Sequence, residues 1–391
     1  MNWARRRKQG DPVAMAELAS VESALTQEVL VRTDATRTSA EPGMTPGQGS
    51  RPVTTLPKHT ALLRYFLRAD SVDAVLQKGS QLQRWKLPIQ QAELNRAVQA
   101  LRSVLANPDA NPLPAAQALH RLLLAPVQSQ LRGIRHLVLA PDAALRYVPF
   151  AALHDGRHFL MQSLALSVEL AGVAAPKPST RGRRGQRLAA FGRGQPDAQH
   201  GALPAVPQEL MHLGHLRVAQ TPPALDAAFT GLALQQALAQ SPSVVHLASH
   251  FVLDPAGEEQ SYLLLGDGRR MSLRELRNLP WAGVDLAVLS ACDSGLALDV
   301  GSGSGREVSG FAQTLNAAGV RNVLATLWRV DDAATAQWVQ FYQPWQRAGR
   351  LQPLTPAHLA ATQRQWLRQH AGTRWGHPHY WAAFSWMGAS I

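Results

Sequence analysis

Val244-Val245-His246-Leu247-Ala248-Ser249-His250-Phe251 and Leu286-Ala287-Val288-Leu289-Ser290-Ala291-Cys292-Asp293-Ser294-Gly295 share one plan: an apolar run passes directly into a small polar loop. Neither run alternates apolar with polar residues, as a strand wet on one face would. Short unbroken runs of Val, Leu and Ala, closed by turn residues, belong to strands buried on both faces of a parallel sheet. His136 to Ala140, Leu188 to Phe191 and Asn322 to Leu327 read the same way, with helical segments between them. The expected class is α/β, with a mostly parallel central sheet flanked by helices on both faces.

Working outward, Glu307 to Ala317 reads as the helix between the last two of these runs, closed by Gly319 as a C′ glycine. Asp331 or Asp332 can cap a helix carrying Trp338, Val339 and Tyr342. Thr355-Pro356 opens a further helix bearing Leu359 and Trp366, with proline at the first helical position. Upstream, Ala61 to Phe66 and Val72 to Gln77 read as a strand pair. Glu93 to Leu105 and Ala115 to Leu124 read as amphipathic helices. Met15, Leu18, Val21, Leu25 and Val29 predict a helix over Pro12 to Thr33, followed by a linker rich in Thr, Ser, Pro and Gly. Lys177 to Arg187, with Arg181, Arg183 and Arg184, reads as a solvated loop joining two halves of the fold.

The chain of 391 residues carries a formal charge of +12, from 39 Lys and Arg against 27 Asp and Glu. Such a balance attracts polyanions at long range. No dense run alternates aromatic with basic residues, so nucleic acid is not the expected partner. One cysteine, Cys292, excludes a disulfide scaffold and a zinc site of paired cysteines. The basic Met1 to Gly10 stretch lacks the apolar segment of a signal peptide, and no window has the length of a membrane span. A cytoplasmic location without a membrane partner is the expectation.

In open parallel sheets, ligands gather beyond the carboxyl ends of strands. His250 and Cys292 both sit just past such ends. A thiol with an imidazole within hydrogen-bond reach is the requirement for cysteine nucleophilic catalysis. Taken alone, Cys292 reads first as an inert core thiol, and His250 as a loop histidine with a structural bond; their joint placement at neighbouring strand ends turns the reading toward catalysis. His246 and His250 are four apart on a strand, without the glutamate of a His-Glu-x-x-His helix, and do not suggest a metal site. Gly301 to Gly305 alternates Gly and Ser without the lysine of a phosphate-binding loop, so no cofactor is expected. His377-Pro378-His379-Tyr380-Trp381 reads as a structural aromatic cluster beneath the last strand.

These segments, in order, resemble the CHAT domain, a bacterial relative of caspases and separase. The matching pieces run from Leu137-Val138-Leu139-Ala140-Pro141-Asp142 and Tyr147-Val148-Pro149-Phe150 to the His246–Phe251 and Leu289–Asp293 stretches. They include Leu263-Leu264-Leu265-Gly266-Asp267-Gly268, Gly305-Arg306-Glu307-Val308, Leu324 to Asp332, and His377 to Ala382. The resemblance implies a caspase-like fold and a cysteine endopeptidase with His250 and Cys292 as its catalytic pair. It also implies protein substrates and backbone oxyanion donors at Cys292 and Phe251; caspases have glycine where this chain has Phe251. Asp293 and Trp328 are the candidate substrate-binding residues, with a substrate strand pairing near Trp328. The domain reading is a helix plus linker over 1–55, an N-terminal subdomain over 56–185 and a catalytic subdomain over 186–391. Many members follow tetratricopeptide repeats, and no such array precedes this domain; the Pro12 to Thr33 helix reads either as a remnant of one or as a docking element for a regulatory or sensor protein. A silent interaction scaffold on the same fold is the alternative.

Overall fold

A computed structural model describes residues 55–170, 186–216, 218–219, 221–254, 258–290, 310–328, 330, 338–347 and 353–388. Cys292, Asp293, Asp331 and Asp332 lie outside these residues. So do the Pro12 to Thr33 helix, nearly all of the linker after it, Lys177 to Gly185 and the Gly301 to Gly305 loop.

Fourteen strands are described. β1 (Thr60–Leu67), β2 (Val72–Lys78) and β3 (Gln81–Leu87) form an antiparallel meander. β4 (His136–Ala140) and β5 (Ala165–Glu169) extend it in parallel. In the second half come β6 (Leu188–Gly192), β7 (Ala224–Leu225) and β8 (Val244–Ala248), then β12 (Leu286–Ser290), β13 (Asn322–Thr326) and β14 (Phe384–Gly388). Together they make one eleven-stranded sheet, ordered β3-β2-β1-β4-β5-β14-β13-β12-β8-β6-β7. Seven of its ten pairings are parallel. A small antiparallel sheet holds β9 (Phe251–Val252), β10 (Tyr262–Leu264) and β11 (Arg270–Ser272).

The apolar runs fail to alternate because each strand feeds two cores. Val244, Leu286, Val288 and Leu324 point into one cluster, while Val245, Leu247, Ala287, Leu289, Val323 and Ala325 point into the other. Helices α1 (Gln91–Ala106), α2 (Leu113–Leu123) and α6 (Pro356–Gln369) cover the first face. Helices α4 (Gly231–Ala239) and α5 (Gly310–Ala317) cover the second. α3 (Val206–Gly214) packs beside β6, with Leu213 in the first core. Burying a large aliphatic side chain contributes about 1.5–3 kcal/mol, so both faces are strongly driven together.

The five apolar runs and the β1–β2 pair lie where the sequence places them. Helix α5 is described from Gly310, Glu307 lying outside, and it ends as expected. Gly319 has φ +110°, its N–H bonds to Asn316 O at 3.0 Å, and the Val320 N–H bonds to Leu315 O. Trp338–Tyr342 is a 3₁₀ turn leading into Gln343–Arg347, rather than one helix. Pro344, which has no N–H to give, fits only the first turn of the second piece. Strands β3, β5 and β14 had no signal of their own. Asn322–Thr326 is therefore not the last strand: the chain returns through His377 to Trp381 and lays β14 against it, antiparallel.

Candidate functional site

β6, β8, β12 and β13 run parallel, and their registers bring their carboxyl ends to one rim: Gly192 pairs with Ala248, and Ala248 with Ser290. Just past this rim the chain leaves β8 for β9, and His250 sits at the corner. The Ser249 N–H bonds to Ser290 O at 3.2 Å, in the large sheet, and Ser249 Oγ donates to Leu264 O at 2.5 Å. The Leu264 N–H returns a 3.0 Å bond to His250 O, in the small sheet. The corner is thus held from both sheets.

His250 is 1% exposed. Its Nε2 lies 2.9 Å from the Gly201 carbonyl oxygen. A carbonyl only accepts, so Nε2 carries the proton and Nδ1 is the basic nitrogen of the neutral ring. Gly201 belongs to a loop after β6 that is bonded at every stage. The Gly194 and Gln195 N–H groups both reach Asp226 Oδ1, at 2.7 and 3.2 Å. The Leu203 N–H closes onto Gly194 O at 3.0 Å. Asp197 Oδ1 accepts the Gln199 and His200 N–H groups, each at 2.8 Å. Those backbone bonds, Gln199's foremost, hold the Asp197 carboxyl well below the usual range; partial burial opposes them, and His200 reinforces them.

Gly266, in the Leu263-to-Gly268 run, explains one glycine of that motif. A Cβ there would overlap the carbonyl oxygen of Asp226 and stand 2.8 Å from Phe229 Cβ. Only glycine lets the β10–β11 turn approach the backbone of Asp226, whose side chain anchors the Gly201 loop.

Below the rim lies a buried polar chain. Glu209 on α3 accepts from Ser290 Oγ at 3.0 and 3.3 Å. Its Oε1 is 3.1 Å from His246 Nε2, a close polar contact that is not an aligned hydrogen bond. His246 Nδ1 is 2.9 Å from the Tyr342 hydroxyl. Burial first, and the Glu209 charge second, raise the Tyr342 hydroxyl well above its usual pKa, so it stays protonated and can donate. His246 is thus a core histidine with a partner on each nitrogen, on the β8 face that carries Val244 and Ala248. Among the described residues no cluster of three His, Cys, Asp or Glu could hold a metal ion. Nor, among them, is any helix long and apolar enough to cross a membrane.

Of the other residues singled out in the sequence, Phe251 opens β9, buried with its ring 5.1 Å from Phe311. Trp328 lies two residues past β13, its Nε1 donating to His379 O at 3.0 Å. β13 itself has a strand on each side, so a peptide can pair only beyond its end. His377 and His379 bond back to Ala110 O and Leu105 O, tying this turn to α1. Asp197, His200, Gly201, Glu209 and Tyr262 were not singled out in the sequence. Asp197-x-x-His200 in a glycine-bounded loop is a weak signal that becomes legible only once Gly201 is seen against His250.

The family model described as the CHAT domain matches residues 113–389. No curated protein matches the sequence. Among solved structures, the Arg-specific cysteine proteinase gingipain R is 8% identical, with 76% of this chain and 74% of that chain covered and a TM-score of 0.46. The Saccharomyces cerevisiae separase–securin complex is 9% identical, covering 85% of this chain and 30% of that one, with a TM-score of 0.47. The complex of pro- and mature domains of Porphyromonas gingivalis RgpB is 9% identical, covering 71% and 68%, with a TM-score of 0.42. At such identities and scores nothing about activity passes from these proteins to this chain. The fold is α/β, a mostly parallel sheet with helices on both faces.

Proposed function

We propose, on the premise that the chain belongs to the CHAT-domain family, that it is a cysteine endopeptidase with His250 as base and Cys292 as nucleophile. The observation that carries this reading is the register of β8 against β12. Ala248 and Ser290 pair at the carboxyl ends of adjacent parallel strands, and His250 and Cys292 each follow two residues later in sequence. A proton fixed on His250 Nε2 by Gly201 leaves Nδ1 to take the thiol proton.

In the proposed reaction the Cys292 thiolate attacks the scissile carbonyl, and the imidazolium of His250 protonates the leaving amine. The acyl-enzyme is then opened by water, which gives its proton to the same imidazole. The oxyanion is held by the backbone N–H groups of Cys292 and Phe251. The ladder supports the second donor. Pairs alternate along antiparallel strands, and His250–Leu264 is hydrogen-bonded, so Phe251–Leu263 is the other kind and the Phe251 N–H points away from β10. Substrates are proteins, bound as extended chain past the end of β13 near Trp328, with Asp293 beside the nucleophile as a contact for the substrate side chain. The division at 55/56 and 185/186, and a regulatory protein docking on the Pro12 to Thr33 helix, belong to the same proposal.

The test is cleavage of a proteome-derived peptide library by wild type and by Cys292→Ala, with new N-termini read by mass spectrometry. Cuts that disappear in the variant are expected. Cuts that persist, or none from folded wild type, would remove the free-standing peptidase and leave a scaffold or a latent enzyme.

A further inference from the structure

The proposed chemistry does not use His200, although this ring lies against His250 with centroids 5.2 Å apart and planes at 39°. Its side chain is 7% exposed. His200 Nδ1 is 2.8 Å from Asp197 Oδ1 and 3.0 Å from Oδ2, and Nε2 is 2.9 Å from the Tyr262 hydroxyl. The same Asp197 oxygen binds the backbone N–H groups of Gln199 and His200. The next residue is Gly201, whose carbonyl fixes His250 Nε2. One carboxylate therefore sets both the ring packed on His250 and the acceptor that decides which His250 nitrogen is basic.

The groups around His200 come from several elements. Asp197 lies on its own loop, His250 follows β8, and Tyr262 is on β10. Arg193, after β6, reaches Asp197 Oδ2 at 3.3 Å and Gly266 O at 3.0 Å, bracing the loop against the β10–β11 turn. Arg270 on β11 stacks on the Tyr262 ring at 4.5 Å and hydrogen-bonds to Gln199.

We infer that His200 is a positioning residue for His250, acting with Asp197 and Tyr262. The inference rests on the reading of His250 as the base. The Asp197 carboxylate only accepts, so His200 Nδ1 donates to it, and Nε2 meets the Tyr262 hydroxyl, so the ring is held at both nitrogens. Held in this way against the His250 ring, His200 fixes the orientation of the base and the surroundings in which it takes a proton.

The experiment needs no substrate, because Cys292 is the chain's only cysteine. Alkylation of the full chain by iodoacetamide is followed against pH for wild type, His250→Ala, His200→Phe and Asp197→Asn. The expected wild-type rate at pH 6 exceeds that of an ordinary thiol and collapses in His250→Ala. His200→Phe, which keeps a ring in place, should lower that rate roughly tenfold and move the acid limb by about half a pH unit. Titration of His250 by NMR on histidine-labelled protein should move in the same variant. Tyr262→Phe, which removes one hydroxyl, makes the same test if His200→Phe does not fold. Unchanged profiles in the His200, Asp197 and Tyr262 variants, with His250 dependence intact, would overturn the inference. A wild-type profile like an ordinary thiol's and indifferent to His250→Ala would instead sink the dyad, and the inference with it.

Discussion

Glu209→Leu puts the buried polar chain under the rim to the most demanding test. Glu209 is 4% exposed and its carboxylate serves two groups, Ser290 Oγ and His246 Nε2. Tyr342, kept protonated, is placed to donate to His246 Nδ1, and His246 Nε2 faces the Glu209 carboxylate at 3.1 Å. Leucine nearly conserves the volume but strands the Ser290 hydroxyl in an apolar setting and removes the carboxylate that faces His246 Nε2. The stranded hydroxyl costs about 1–3 kcal/mol and the lost contact with His246 adds to it, offset in part by no longer burying a carboxylate, so the expected net loss is about 1–3 kcal/mol. The assay is urea unfolding of the full chain followed by tryptophan fluorescence, comparing midpoints at a constant m-value. His246→Leu should cost a similar amount. The double variant should cost about 1–3 kcal/mol less than the sum of the singles, because neither partner is left alone. A Glu209→Leu midpoint within about 0.5 kcal/mol of wild type, or strictly additive losses, would refute the claim that these residues form one unit.

Three further outcomes are expected. Burial lowers the proton affinity of His136 and His358, so each contributes stability that is present above the unfolded value near 6.5 and lost as pH falls through the folded value. Unfolding midpoints should therefore drop between pH 7.5 and 5.5, and His136→Gln should shrink the drop; a flat profile contradicts this. Burial alone would raise the Asp73 carboxyl, but Arg68 and Arg84, each at 2.9 Å, bring it below its usual value. Asp73→Asn should then cost about 1–3 kcal/mol at pH 7, with a deficit that closes as pH falls below about 4; a deficit independent of pH would contradict it. Gly266→Ala should cost at least about 1–3 kcal/mol by forcing the Asp226 backbone aside, with a matching loss of Cys292 alkylation at pH 6. Normal stability with normal alkylation would show that the turn yields freely.

Much of the scaffold was legible because both of its signals are local. Val244–Ala248, Leu286–Ser290 and His136–Ala140 are short apolar runs, and a strand buried on both faces needs nothing more to be recognised. Gly319 marked the end of α5 because a left-handed residue after a helix favours glycine wherever the chain folds. β14 had no such signal. Phe384-Ser385-Trp386-Met387-Gly388 follows a run of aromatics that suits a turn as well as a strand, and it becomes a strand by filling the gap between β13 and β5. β3 is an edge strand with exposed Gln81, Arg84 and Lys86, whose polarity hides it.

The candidate site divides along the same line. His250 and Cys292 could be singled out as candidates from the sequence because each follows an apolar run that reads as a buried strand, and strand ends are written in neighbouring residues. Gly201, Asp197, His200 and Glu209 were not, because a carbonyl 49 residues from His250, or a glutamate 81 residues from Ser290, leaves no mark on the local pattern. By itself the sequence determined the class of fold and where its five buried apolar strands and the β1–β2 pair lie along the chain. Which strands became neighbours, which nitrogen of His250 holds the proton and which buried charge stands under the rim were decided only in the tertiary structure, because distant groups must be brought within 3 Å before a hydrogen bond can choose between them.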